Sequence, residues 1–187
     1  MDGMSNSHAV PILRTADPSA ALRAVDGLLG IADLRDFEVD YTAVISSPDA
    51  LKALSEFLQY GTWYACDESG SPGPGDDPAE YLPIRWLALG DEPETVPGFL
   101  EALNGTPATV RWDFLGWPAA PEAGLGPGGA RGAFVTLCVN VRDLELMEPA
   151  DDCTVYVHVK QREAERAPWL AAQVGLRVIG DGVEAPY

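Results

Sequence analysis

The residues FEVDYTAVI, at positions 37–45, decide the fold because apolar and polar side chains alternate along them. Successive side chains of a β-strand point to opposite faces of a sheet. One face would carry the apolar set Phe37, Val39, Tyr41, Ala43 and Ile45, and the other face would carry Glu38, Asp40 and Thr42. The pattern predicts a strand that is buried on one side and exposed to water on the other.

The segments on either side of this strand predict helices. Asp17-Pro18 and Ser47-Pro48 each combine a side chain that caps a helix with a proline that suits its first turn. Apolar residues follow both pairs at helical spacing. We therefore expect a first helix from Pro18 to about Ala32 and a second helix that contains Leu54.

The rest of the chain alternates in the same way at first and then becomes rich in strands. The patterns predict strands over residues 10–15, 84–89, 109–115, 133–141, 154–160 and 176–179, and helices over 93–104 and 168–174. This order predicts one α+β domain over residues 1–187, with a mixed, mostly antiparallel sheet and helices packed on one face. The alternation in the N-terminal half is of the ferredoxin-like type, a likeness of fold that carries no function.

Three segments are predicted to lie outside these elements. Residues 1–9 read as a flexible N-terminal tail, residues 67–80 as an acidic loop rich in proline and glycine, and residues 117–132 as a second loop rich in glycine and proline. The oxygen-bearing residues of the acidic loop do not have the spacing of the ligands in an EF-hand calcium site. Gly124-Leu-Gly-Pro-Gly-Gly129 matches a dinucleotide-binding pattern, but no helix is predicted after it to receive the phosphates.

The charge of the chain limits its partners. Twelve basic and 29 acidic residues give a formal net charge of −17. Such a field repels nucleic-acid phosphates and anionic lipid, so we expect neither direct nucleic-acid binding nor membrane binding. The charge suits a basic protein partner, although solubility alone would also explain it.

Cysteines and termini indicate the compartment. Cys66, Cys138 and Cys153 are odd in number and lack CxxC spacing, which argues against a disulfide framework and a zinc ribbon. The first residues show no secretory signal, and no apolar run is long enough to cross a bilayer. We expect a cytoplasmic protein without a metal or cofactor, and the excess of arginine over lysine suggests a GC-rich bacterial genome.

The first functional hypothesis is a non-catalytic acidic protein that docks on a basic partner, in the manner of immunity proteins, adaptors, inhibitors or nucleic-acid mimics. Aromatic residues beside the two loops would anchor the partner, and acidic residues would steer it. The predicted partner-binding residues are Trp63, Tyr64, Asp67, Glu68, Asp76, Asp77, Glu80 and Trp117. No residue has a predicted catalytic role, because no nucleophile motif is present.

The alternative is a small enzyme or small-molecule-binding domain that uses a polar face of the sheet. Alternation in VYVHVK, residues 155–160, places Tyr156 and His158 opposite the buried valines. Neighbouring strands would add Arg111, Asp113, Cys138 and Asn140 to that face. Since antiparallel sheets often leave one face solvated, the same pattern also fits an ordinary wet surface. Cys138 lies inside a strand, so we expect its thiol to be poorly reactive.

Overall fold

Eight strands form one sheet in the computed structural model, which describes residues 7–66, 73, 75–128 and 133–185. The strands are β1 (Ser7–Thr15), β2 (Glu38–Ile45), β3 (Thr62–Ala65), β4 (Ile84–Asp91), β5 (Ala108–Asp113), β6 (Phe134–Val141), β7 (Pro149–Lys160) and β8 (Val183–Glu184). Their order across the sheet is β3-β4-β2-β5-β6-β7-β1-β8, and every pairing is antiparallel. The prediction of one α+β fold is confirmed.

Five α-helices accompany the sheet in the described part of the chain. They are α1 (Pro18–Leu29), α2 (Pro48–Ala53), α3 (Ser55–Leu58), α4 (Val96–Ala102) and α5 (Arg166–Gln173). Residues from these helices join the main apolar core with the inward side chains of the strands, for example Leu28 of α1, Phe99 of α4 and Leu170 of α5. The helices thus cover one face of the sheet. None of these helices is long and apolar enough to cross a membrane.

The alternation in residues 37–45 sets this one-sided burial. Val39, Tyr41, Ala43 and Ile45 are fully buried in the core, while Glu38 is exposed. Tyr41 and Trp86 both contact the ring of Phe99, with ring centroids 4.4 and 5.9 Å apart respectively. Such aromatic contacts add packing energy to the area that they bury. The core therefore centres on β2 and β4 beneath α4.

Two helix starts behave as their sequences predict, but the first helix ends early, and the second is interrupted at Leu54, which separates α2 from α3. The Asp17 side chain accepts a hydrogen bond from the amide of Ser19, and Ser47 accepts one from Ala50. These bonds satisfy amides that have no partner inside the helix. The first helix ends at Leu29, three residues before the predicted Ala32, because the chain turns at Gly30. Ile31 and Ala32 continue only as a turn.

Several other bounds are corrections to the sequence prediction. β1 begins at Ser7, so residues 7–9 are not a flexible tail; Ala9 is fully buried and pairs with His158. β3 was not predicted, and residues 176–179 form no strand, the last strand being β8. Long-range pairing decides these short segments, and local patterns carry no signal of it. Residues 1–6 lie outside the described residues.

The segment 117–128 is fastened to the body of the protein rather than lying free. The Trp117 indole Nε1 donates to the carbonyl of His158 at 2.7 Å. Arg166, only 1% exposed, donates to the carbonyls of Pro118 and Gly126 and to the Glu163 carboxylate. Bonds from a buried guanidinium are strong because the charge has no competing water. The predicted loop is therefore an ordered part of the fold up to residue 128.

Replacing Arg166 with Ala should destabilise the protein by roughly 3 kcal/mol, because buried hydrogen bonds and an ion pair are lost together. The matched control is Arg162→Ala, which removes an arginine whose side chain is 77% exposed. The control should change stability by less than about 0.5 kcal/mol. Chemical denaturation of both variants measures the difference. Equal stabilities would show that the buried arginine does not hold segment 117–128 in place.

Candidate functional site

The face of the sheet opposite the helices carries a cleft of about 460 Å³. Its floor consists of outward side chains from five neighbouring strands, β4, β2, β5, β6 and β7. Its lining includes Glu38, Asp40, Arg85, Leu87, Leu89, Arg111, Asp113, Thr136 and His158. Since the strands place every second residue on this face, the cleft is the polar counterpart of the buried core.

Strand register brings the charged residues of the floor side by side. Asp40 of β2 lies opposite Arg111 of β5, and Arg111 lies opposite Thr136 of β6. Glu38 lies opposite Asp113 in the same way. Opposed residues of an antiparallel pair project to the same side with their Cβ atoms about 5 Å apart. The sheet itself therefore assembles this cluster.

The connection between β6 and β7, residues 142–148, forms a wall of the cleft. The Arg85 guanidinium on β4 donates to the carbonyl of Glu145 at 2.5 Å. Two strands, β2 and β5, lie between β4 and β6. At about 4.8 Å per strand spacing, the connection reaches roughly 14 Å across the open face. Arg85 therefore bonds the β6–β7 connection to β4, a strand that is separated by two others from β6.

Internal bonds hold the same connection in shape. The Asp143 carboxylate accepts hydrogen bonds from the amides of Met147 and Glu148, and the Tyr156 hydroxyl donates to the carbonyl of Arg142. Leu146 is buried in a small second apolar cluster with Cys138 and Tyr156. The wall is thus packed onto the sheet at one end of the cleft.

Arg111 lies at the centre of the cleft between two carboxylates. Its Nη2 donates to Asp40 at 2.7 Å and to Asp113 at 3.2 Å, and its guanidinium lies 5.0 Å from the centre of the Phe134 ring. Asp40 also accepts from the Gly90 amide at 2.9 Å. Two buried atoms here, Arg111 Nε and Asp113 Oδ1, have no hydrogen-bond partner among the described residues.

Burial, with a smaller contribution from the neighbouring Asp40 carboxylate, raises the pKa of Asp113 to about 6 against the opposing effect of Arg111. A carboxyl group of this kind changes charge within a physiologically accessible pH range. The Asp40, Arg111 and Asp113 cluster therefore carries less fixed charge in mild acid than at neutral pH.

His158 is buried in the floor and stays neutral. Its Nε2 lies 2.8 Å from the Thr136 hydroxyl and its Nδ1 lies 3.3 Å from the Ser7 hydroxyl. Burial, helped by the positive charge of Arg111, lowers the pKa of His158 to about 3. One ring nitrogen donates and the other accepts, so the imidazole acts as a hydrogen-bonding spacer.

The predicted polar-face residues separate into two groups. Arg111, Asp113 and His158 line the cleft together. Cys138 and Tyr156 are buried beneath the β6–β7 connection instead, and burial raises the pKa of both side chains. Asn140 does not share the face as predicted, because the strand is irregular between Val139 and Val141, and its amide donates to the Thr106 carbonyl. Cys138 lies inside a strand as predicted, but it is buried rather than on the open polar face, and its low reactivity stays a prediction.

The predicted partner-binding residues are less uniform than their sequence suggests. Trp117 is only 3% exposed, so its prediction as an exposed anchor is wrong; its indole bonds to a strand carbonyl. Trp63 is half-buried against the ring of Tyr81, whereas Tyr64 is 44% exposed and lines the cleft. Asp67 and Glu68 lie outside the described residues.

The remaining acids of the acidic loop are engaged locally. Asp76 accepts from the Tyr81 hydroxyl and from the Gly73 amide, which lowers its pKa. Asp77 caps the short 3₁₀ helix Pro78–Tyr81 by accepting from Ala79, and Glu80 is exposed on that helix. The end of the predicted loop is thus ordered by its own carboxylates.

Sequence reasoning missed four contributors to the cleft. Asp40 and Glu38 were placed on the polar side of their strand but not assigned to a site, although their alternation was visible. Arg85 and Leu89 belong to the strand predicted over residues 84–89, none of whose residues was assigned to a polar face. Their exposure follows from the absence, in the described chain, of a helix on this face.

Neither a metal-binding group nor a known relative assigns a function to the cleft. Among residues 7–66, 73, 75–128 and 133–185, no three histidine, cysteine, aspartate or glutamate side chains are grouped so that they could hold a metal ion. Comparisons with protein-family models, curated proteins and solved structures each found no match. The cleft is therefore interpreted from its own residues.

Replacing Asp113 with Asn should change how stability depends on pH. The folded-state pKa of Asp113 is raised, so its contribution to stability is present below about pH 4 and is lost as pH rises through about 6. The full shift is worth about 2 kcal/mol between about pH 4.5 and 7.5, which water in the cleft should reduce to about 1 kcal/mol. Asp113→Asn should therefore be relatively more stable at the higher pH by that amount.

Denaturation of the wild type and the variant at both pH values measures this effect. Asp181→Asn is the matched control because it removes a carboxylate from an exposed position. If Asp113→Asn and the control show the same pH dependence, Asp113 does not titrate as its surroundings indicate.

Proposed function

We propose that this protein is a non-catalytic binding protein that holds a small polar ligand in the cleft on the helix-free face of the sheet. The observation that carries the proposal is a pair of buried atoms in the floor of that cleft, Arg111 Nε and Asp113 Oδ1, which have no partner in the part of the chain that the structure describes. Buried polar groups in proteins are almost always hydrogen-bonded. A ligand that offers an acceptor to Arg111 and a donor to Asp113 would satisfy both atoms.

The size and rigidity of the cleft support this proposal. Its volume of about 460 Å³ falls in the range of small-molecule sites. The floor is built on strands, and the β6–β7 connection is bonded to β4 through Arg85. Sites on regular elements position their groups more accurately than sites on loops. The cleft is therefore suited to a ligand of defined shape.

The chemistry of the floor supports binding over nucleophilic catalysis. Thr136 and His158 form a hydroxyl–imidazole pair, but a pKa of about 3 makes this imidazole a poor base at neutral pH. The Cys138 thiol is covered by the β6–β7 connection, and burial raises its pKa. A buried, protonated thiol is a poor nucleophile.

A panel of defined amines, amino acids, sugars, nucleosides and carboxylic acids tests this proposal by two-dimensional amide NMR. Compounds that bind should shift signals of cleft residues such as Thr136 and Leu87. Thr109→Trp fills the floor with an indole and should abolish those shifts, while Gln173→Trp, an exposed change on α5, should leave them intact. If no compound shifts cleft signals, or if Thr109→Trp binds as the wild type does, the proposal is wrong.

A second candidate function is docking on a basic protein partner. The net charge of −17 supports it, as does the exposed Tyr64 ring on the edge strand β3. Asp76, Asp77 and Glu80 follow in the chain and extend the negative field. Charges of this kind speed encounter more than they strengthen the complex, while an exposed aromatic ring resists dissociation.

Changing Asp76 and Asp77 to Asn and Glu80 to Gln should slow association with a synthetic arginine-rich peptide and flatten its salt dependence. Changing Asp26, Glu101 and Asp181 to their amides is the matched control, since it alters the net charge equally at exposed sites elsewhere. Tyr64→Ala should speed dissociation instead. Surface plasmon resonance measures both rates, and equal association rates for the two triple variants would refute a local docking site.

We propose a bacterial cytoplasmic location for this binding protein. Cys138 and Cys153 form no disulfide within the described part of the chain, which suits a reducing compartment. The preference for arginine over lysine supports the bacterial origin. Proteomic fractionation of the source organism tests the location.

A further inference from the structure

We infer that the cleft selects a protonated amine that has a neighbouring hydroxyl or carbonyl oxygen and an apolar group. Glu38 and Asp113 would hold the ammonium, Arg111 the oxygen, and Leu89 the apolar group. This inference rests on the proposed function and narrows its ligand to one chemical class. The cleft would then take cationic ligands in preference to polar ligands in general.

The balance of charge around the cleft favours a cation. Four carboxylates line it, those of Glu38, Asp40, Asp113 and Glu145, against the two guanidinium groups of Arg85 and Arg111. Both arginines are already engaged, Arg111 by two carboxylates and Arg85 by a carbonyl. The net charge of −17 adds an attractive field for cations over the whole surface.

The uncommitted carboxylate oxygens lie at one end of the cleft. Glu38 is exposed and makes no hydrogen bond or ion pair within the described residues. Its strand partner Asp113 projects to the same face and offers the unpaired Oδ1. An ammonium carries three donors and no acceptor, so it matches the Glu38 carboxylate and the unpaired Oδ1 of Asp113. Bonds of this charged kind are about twice as strong as neutral ones.

Arg111 adds a second requirement. Its Nε is buried without an acceptor, next to the Nη2 that bonds Asp113. An ammonium cannot accept a hydrogen bond, so the same ligand needs an oxygen beside the amine. A bare divalent cation would meet the repulsion of the Arg111 guanidinium between Asp40 and Asp113, which disfavours a metal ion here.

Apolar side chains flank the charged end. Tyr64 is not among them, because it lies opposite Arg85 and Arg85 lies opposite Val44, roughly 20 Å along β2 from Glu38. Leu89 of β4 is 68% exposed, and it lines the cleft with the half-buried Leu87 two residues before it. Exposed apolar side chains that are grouped at a cleft are typical of binding surfaces. They would desolvate an aromatic or aliphatic group on the ligand.

Four small probes separate the three requirements when titrated by calorimetry against the full chain. β-Hydroxyphenethylamine carries amine, hydroxyl and ring together and should bind most tightly. Phenylethanediol lacks the amine and ethanolamine lacks the ring, and each should bind at least about tenfold more weakly. Phenethylamine lacks the hydroxyl and should bind about fivefold more weakly.

Variants at exposed positions assign the amine and the apolar requirement to residues without threatening the fold. Glu38→Gln should weaken β-hydroxyphenethylamine at least about fivefold and leave phenylethanediol unchanged. Leu89→Ala should weaken the ring-bearing probes about threefold and leave ethanolamine unchanged. Glu101→Gln, at an exposed site on α4, is the matched control and should change none of them.

The outcomes distinguish this inference from the proposed function. If phenylethanediol binds in the cleft as tightly as β-hydroxyphenethylamine, or if Glu38→Gln changes nothing, the amine requirement is wrong while the cleft stays a binding site. If other compounds of the wider panel bind in the cleft but none of the four probes does, the inference is overturned alone. If nothing binds in the cleft, both proposals fail.

Discussion

One-sided burial of an eight-stranded antiparallel sheet is the constraint on which the rest of this structure depends. The core requires every second residue of each strand to be apolar, and the intervening residues are then free to be polar. In β2 and β5 this freedom places Asp40 opposite Arg111 and Glu38 opposite Asp113. The helices and the cleft are thus two results of the same alternation, one on each face.

The sequence predicts those features of the architecture that depend on residues close together in the chain. Alternation in residues 37–45 gave the correct inward and outward sides of β2, and capping pairs gave the starts of α1 and α2. β3, with only four residues, has no pattern of its own and exists because it pairs with β4. The first residues of β7 were missed because proline and aspartate are uncommon in strands, whereas pairing with β6 extends the strand to Pro149.

The candidate site shows the same division. Arg111, Asp113 and His158 could be placed on one polar face because period-two alternation is visible in each strand. Their neighbours across the sheet could not be known without strand order, and β5 lies next to β2 despite an intervening hairpin of β3 and β4. Trp117 was misplaced for a related reason: a tryptophan in a glycine-rich segment looks exposed until its partner, the carbonyl of His158, is known.

The bond from Arg85 to Glu145 has a mechanical consequence. A sheet of this width is a twisted ribbon, and its curvature can change when neighbouring strands rotate slightly against each other. The β6–β7 connection runs across the open face of that sheet. It is joined to β6 and β7 at its ends, and Arg85 bonds it to β4. A connection that is held on both sides of the sheet in this way opposes an increase or a decrease in the curvature of the sheet, so the open face keeps one shape. If a ligand binds on this face, as we propose, the protein would lose little conformational entropy on binding.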